Sequence, residues 1–324
     1  MATSSDTISE SKTAVKRPKH LAKRKNTNKW GYFFIAPFFI FFLIFNFYPM
    51  FYTIYLSFTD LAGWATEANF VGFQNFVRLY NNELFRRSVF NTTILWLVNF
   101  FPQIILAFIL AYWFTNRRMN LKATGFFKSM FYLPNIITAA SVALIFSSLF
   151  SYPRGPLNLL MLDWGLISSP IDLFRSGLGT RLIVSFIQFW ILYGQTTIVL
   201  QAGILGIDEN LFDAARVDGA TDWQSFTKIT MPLMKPITLY VLVTSLIGGL
   251  QIFDIPYLLT GGGPAQSVET MMIFIYKQAF QGGRNLNVAS TASVFLLIMT
   301  SILSLFIFNS FRDKKTKNTV KGVR

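Results

Sequence analysis

The sequence has no cysteine, one histidine and only 15 acidic residues in 324. Without cysteine there can be no disulfide, no thiolate metal site and no cysteine nucleophile. The lone histidine, His20, lies among lysines near the N-terminus and reads as a solvated side chain. The apolar stretches hold no Ser/His/Asp arrangement, no metal-ligand cluster and no pair of carboxylates. A Gly-x-x-x-x-Gly-Lys-Ser/Thr phosphate cradle is missing too, so the chain cannot hydrolyse ATP by itself. Enzymatic chemistry has nothing to stand on.

Apolar residues, by contrast, are plentiful. The chain is 52% hydrophobic and 17% aromatic, with 36 phenylalanines and a mean hydropathy of +0.44. This composition fits a lipid-embedded chain rather than a soluble domain. A helix needs about 20 apolar residues to cross a bilayer. Six stretches qualify, at about 31–51, 90–114, 131–150, 182–205, 237–258 and 287–308. The prediction is an all-α membrane protein of six transmembrane helices, with a kink at Pro102 in the second. The first run is too long, and the basic segment before it too extended, for a cleavable signal peptide.

The net charge of +14 does not point to nucleic acid, because the basic residues are gathered at a few places. Residues 1–29 form a basic tail that cannot bury a core, residues 312–324 form a second, and Arg117, Arg118, Lys122 and Lys128 fill one loop. With six crossings the two tails, that loop and the 206–236 loop share one side, which the positive-inside rule makes cytoplasmic. Three segments of around thirty residues, about 52–87, 152–181 and 258–286, then face outward.

The 206–236 loop carries the most specific signal. Asp208 can cap a short helix in which Leu211, Ala214 and Ala215 share a face, and Gly219 ends it. A second short helix starts near Thr221 or Asp222 and stops before Pro232 and Pro236. Asp213, Ala214, Ala215, Gly219, Ile229, Met231 and Pro232 resemble the cytoplasmic EAA loop of binding-protein-dependent ABC importer permeases. Asp213 replaces the family's Glu and Met231 its Leu. The Gly262-Gly263-Pro264 element of the third outward segment matches as well, so the resemblance covers roughly 90–310.

This resemblance implies the type I ABC importer permease fold, with 30–311 as the permease domain and 206–236 as its coupling loop. Leu211, Asp213, Ala214, Ala215, Gly219, Ile229 and Pro232 would then face an ATP-binding subunit. It further implies two such ATPase subunits holding ATP and Mg, a second homologous permease subunit and an extracytoplasmic solute-binding protein. The place implied is the bacterial plasma (inner) membrane, with both termini cytoplasmic.

Polar groups inside lipid are costly and normally face protein or a watery path. The fourth span carries Gln188, Gln195 and Thr196; the fifth carries Thr244, Ser245, Gln251 and Asp254 with Gly248 and Gly249; the second carries Asn91, Asn99 and Gln103. Any one of these can equally be an interhelical hydrogen bond, and the glycine pair can equally serve close packing. Together, amides beside Trp190, Tyr193, Phe189 and Phe253 suit a hydroxyl-rich, uncharged solute such as a sugar. In the carbohydrate-uptake branch that the chain resembles, substrate lies between the helices flanking the coupling loop. The matching positions are Gln188, Ile191, Leu192 and Gln195 on one side, and Thr244, Ser245, Gly248 and Gly249 on the other. Trp190, Tyr193 and Gln251 complete the expected path. The expected function is import of a sugar or oligosaccharide, with another solute such as glycerol phosphate as the alternative. An ATP-independent secondary carrier is a more distant one, since Asp254 is the only acid in an assigned span and no repeat is visible.

Overall fold

The computed structural model describes residues 28–63, 67–116 and 124–311. The N-terminal tail up to residue 27, most of the basic loop at 117–123 and the tail at 312–324 lie outside the described residues. The chain divides into two compact units, one reaching Phe51 and the other starting at Tyr52. No strand is present among the described residues.

Helix α1 (Trp30–Ser57) is longer than the predicted 31–51. It contains a wide turn, Leu43–Phe47, in which the Tyr48 N–H bonds five residues back to Leu43 O. The next residue, Pro49, has no N–H to offer, and the turn widens just before it.

The second unit begins within α1 and continues through α2 (Gln74–Asn81) to α3 (Glu83–Thr115). Asn82 caps α3 by accepting from Phe85 N at 3.0 Å. The helix runs as one element through Pro102, which is exposed.

The predicted third span is not one rod. It is α4 (Thr124–Ile136) followed by α5 (Ala139–Leu149), bent by 94°. Thr138 is extended and accepts from Ser141 N at 3.3 Å, opening a new helix where the old one would have continued. Among the described residues, counting that pair as one crossing gives six; counted by single long helices, five qualify.

After α6 (Pro156–Asp163) comes α7 (Gly177–Leu205), capped by Ser176, which accepts from Gly179 N at 3.3 Å. Helices α3 and α7 form the most extensive pair in the unit. Two short helices follow, α8 (Glu209–Val217) and α9 (Asp222–Ser225). The predicted fifth span is α10 (Lys235–Leu250) and α11 (Asp254–Thr260), separated at Gln251. Asp254 is exposed in the first turn of α11, where a negative charge suits the helix N-terminus. Finally, α12 (Met271–Phe280) leads to α13 (Leu286–Phe311).

Packing of α7 on α4 and of α10 on α3 depends on small residues. A Cβ on Gly194 would collide with the Phe131 carbonyl of α4, and one on Gly249 with the Trp96 indole of α3. One apolar cluster joins Leu95, Val142, Ile187 and Ile255; another joins Ala107, Leu200, Met234 and Val241 nearer the short-helix loop.

Candidate functional site

The 206–236 loop folds as its residues dictate. Asp208 accepts from Asn210 N at 3.0 Å and starts α8. Gly219 ends it at φ +78°, with the Ala220 N–H returning to Ala215 O at 2.8 Å. This is the glycine-closed helix end, in which a side chain would be strained whatever the space around it. Thr221 and Gln224 then cap each other reciprocally: Gln224 N donates to Thr221 Oγ1 and Thr221 N to Gln224 Oε1. The path onward passes through a second wide turn, Phe226–Thr230, again one residue before the residue preceding a proline, Met231-Pro232.

No side chain of α8 is buried. Leu211, Asp213 and Ala214 are exposed, as are Gly219 and Pro232, while Ala215 and Ile229 are half-buried. Asp213 pairs with Arg216 at 2.6 Å, at i,i+3 in water. Exposed Val217 and Trp223 add apolar surface to the same knob. Behind it lies a cavity of ≈ 170 Å³ lined by Tyr112, Phe212 and Phe226, beside which the Tyr112 ring at the end of α3 meets Phe226 edge-on at 4.9 Å.

The expected path residues fall into two groups. Thr244, Gly248 and Gln251 are exposed at i, i+4 and i+7, on one face of α10 and its end. A Cβ on Gly248 would meet nothing within 4 Å. On α7, Gln195 is exposed and accepts from Asn135 Nδ2 at 3.2 Å, while Gln188, Ile191 and Leu192 are half-buried. Packing takes up the others. Tyr193 is buried and stacks on Phe189 at 5.5 Å, Trp190 meets Phe146 edge-on at 5.4 Å, and Gly249 lies against Trp96. Thr244 also donates to Tyr240 O at 2.8 Å within its own helix. Ser245 is drawn into a buried junction: its hydroxyl donates to Gln103 Oε1 at 3.4 Å, and Gln103 Nε2 donates to Thr196 Oγ1 at 2.8 Å.

Two arrangements at the other end of the unit escape sequence reasoning. Glu269 is only 1% exposed, and its carboxylate pairs with Lys277 at 2.7 Å over Gly262, which has no room for a Cβ. Arg181 donates to Ser267 O and Asn91 Oδ1, both at 2.9 Å, and Asn91 donates in turn to Gln266 O and Glu269 O. The Gly-Gly-Pro element was visible, but not which charges fold under it. Among the described residues no cluster of His, Asp or Glu is arranged to hold a metal.

A multi-pass helical protein whose exposed double-helix finger is set between two crossings has the build of a transport subunit. The comparisons with known proteins give its kin. The chain is 31% identical over 287 residues to the lactose transport system permease protein LacF of Rhizobium radiobacter, covering 88% of this chain and 95% of that one. A solved bacterial ABC transporter that imports the acidic polysaccharide alginate matches with a TM-score of 0.75 and 27% identity, over 88% of this chain and 96% of that one. The alginate transporter bound to a periplasmic protein carrying an alginate pentasaccharide matches with a TM-score of 0.72 and 26% identity, over 86% and 93%. No family model matches the chain. The chain belongs to the permease subunits of ABC importers.

Proposed function

We propose that this permease carries a saccharide, handed over by an extracytoplasmic solute-binding protein, into the cytoplasm. ATP and Mg are held by two copies of a separate nucleotide-binding subunit. A second homologous permease completes the pathway, since one chain offers a single finger and two ATPases need two. Both termini and the 206–236 loop lie in the cytoplasm, in keeping with the distribution of Lys and Arg. The open face formed by Thr244, Gly248 and Gln251, together with Gln188 and Gln195 on α7, offers amides and a hydroxyl to a hydroxyl-rich cargo.

The observation that carries this reading is the finger itself. α8 leaves Leu211, Ala214 and Val217 exposed among the described residues, and it is closed by a left-handed Gly219. Exposed apolar side chains beside a small residue suit close docking of a partner surface. ATP-driven movement of that partner would bias the helix packing between its two states. The test is reconstitution with the ATPase subunits and Gly219→Val. A β-branched residue is strained at φ +78°, so transport should fall at least tenfold while ATP hydrolysis persists. Unchanged transport in Gly219→Val and in Ala214→Trp would overturn the coupling role.

A further inference from the structure

The end of the unit opposite the finger holds a second cavity, of ≈ 400 Å³, lined by Arg87, Arg175 and Arg181 with Gly177 and Ser267 among its other residues. No carboxylate lines it. One of the three charges is partly offset, because Arg87 pairs with Glu83 at 3.0 Å. Arg181 is held in place by neutral acceptors, the Ser267 carbonyl and Asn91, which fix its orientation and leave its charge uncompensated. Arg175 is exposed beside them.

Two further observations point to a ligand. The N-terminus of α7, a helix of 29 residues, opens here at Gly177, whose Cβ would sit 3.1 Å from that of Ser267. Ser176 already accepts from Gly179 N, and the helix dipole still favours an anion at such an end. Ser267, a residue of the cavity wall, is 7% exposed, and its buried hydroxyl has no hydrogen-bond partner. A buried, unpartnered hydroxyl among guanidinium groups is a donor waiting for an acceptor.

We infer that this cavity receives an acidic side chain of the solute-binding protein, a carboxylate gripped by Arg175, Arg181 and the Ser267 hydroxyl. This rests on the outward orientation proposed above for that end. A fixed carboxylate fits better than one travelling with the cargo. From Ser88 to Thr115 on α3, and from Leu182 to Leu205 on α7, there is no Lys or Arg at all. An anionic cargo would therefore be retained at the mouth, with no counter-charge to draw it onward. A docking group has no need to move on, and planar guanidinium donors suit a carboxylate's two oxygens.

The experiment uses the complete importer in proteoliposomes with its own binding protein, reading the binding-protein concentration that half-saturates ATPase stimulation. Arg175→Glu should raise that concentration roughly tenfold, Arg175→Lys far less, and with every transported saccharide alike. In the unmodified importer the same concentration should rise between about 50 and about 300 mM salt, and this slope should flatten in Arg175→Glu. An unchanged half-saturation in Arg175→Glu, or a salt-independent one in the unmodified importer, overturns the inference. A defect confined to carboxylated saccharides overturns it in favour of a cargo site. Absence of any stimulation in the unmodified importer would instead count against the proposed function.

Discussion

Gln103 on α3 donates its side-chain amide to the Thr196 hydroxyl on α7 at 2.8 Å, where both residues are buried. The same Gln103 accepts from Ser245 on α10, so one side chain joins the two helices that flank the finger. Such bonds between membrane helices average well under 2 kcal/mol, because the unfolded chain in lipid also finds partners. Gln103→Leu should therefore lower stability by about 0.5–1.5 kcal/mol. A double-mutant cycle with Thr196→Val, followed by thermal unfolding in detergent, checks it: zero coupling energy would mean the two side chains do not act together.

Gly248 and Gly249 should respond in opposite directions to the same change. A methyl at Gly249 must displace the Trp96 indole, and Gly249→Ala should cost about 1–3 kcal/mol. Gly248 faces open space, so Gly248→Ala should be neutral or stabilising by up to about 1 kcal/mol, as a helix-interior glycine gains from alanine. Unfolding midpoints of the two variants separate packing from path. A transport defect in Gly248→Ala without loss of stability would mark that glycine as lining the route.

The Glu269–Lys277 pair should prove asymmetric. Lys277→Met strands a carboxylate that is almost wholly buried, whereas Glu269→Gln leaves a lysine that is 32% exposed and still donates to Gly261 O at 2.8 Å. Because water reaches the lysine, the loss for Lys277→Met should be roughly 2–4 kcal/mol rather than the full penalty of a sealed pair. The double variant should recover part of it. Equal losses in the two single variants, measured by chemical or thermal unfolding, would contradict this account.

Asp213→Ala should leave the fold alone. Its bond to Arg216 is exposed at i,i+3, a geometry worth less than about 1 kcal/mol. Thr221→Ala, which removes one arm of a capping box, should cost more, about 1 kcal/mol locally. Amide exchange across residues 209–225 reads both. If Asp213→Ala impairs transport while exchange there is unchanged, its carboxylate acts on a partner rather than on its own helix.

The crossings were legible because lipid demands long apolar runs, and the finger was legible because caps and a terminal glycine are local signals. Asp208, Gly219 and the Thr221 start all fall where the sequence put them. The 94° bend was missed even though Pro134 and Thr138 lie beside it, since hydropathy averages over both halves. Helix α3 begins at Glu83, seven residues before the predicted start, because Arg86 and Arg87 depress the apolar signal without breaking the helix. Which of two adjacent glycines touches Trp96 is a matter of 100° of rotation, and composition carries no such angle. The burial of Glu269 depends on a loop returning from a distance, and nothing local announces it.

The nine residues of α8 have no core of their own and are too few to hold a helix in water by propensity alone. Their shape is kept by an aspartate at one end and a backward-curling glycine at the other. Under the coupling role proposed above, damage to either clasp would disconnect the drive while the membrane body stays assembled, leaving a complex that looks intact on a gel and idles.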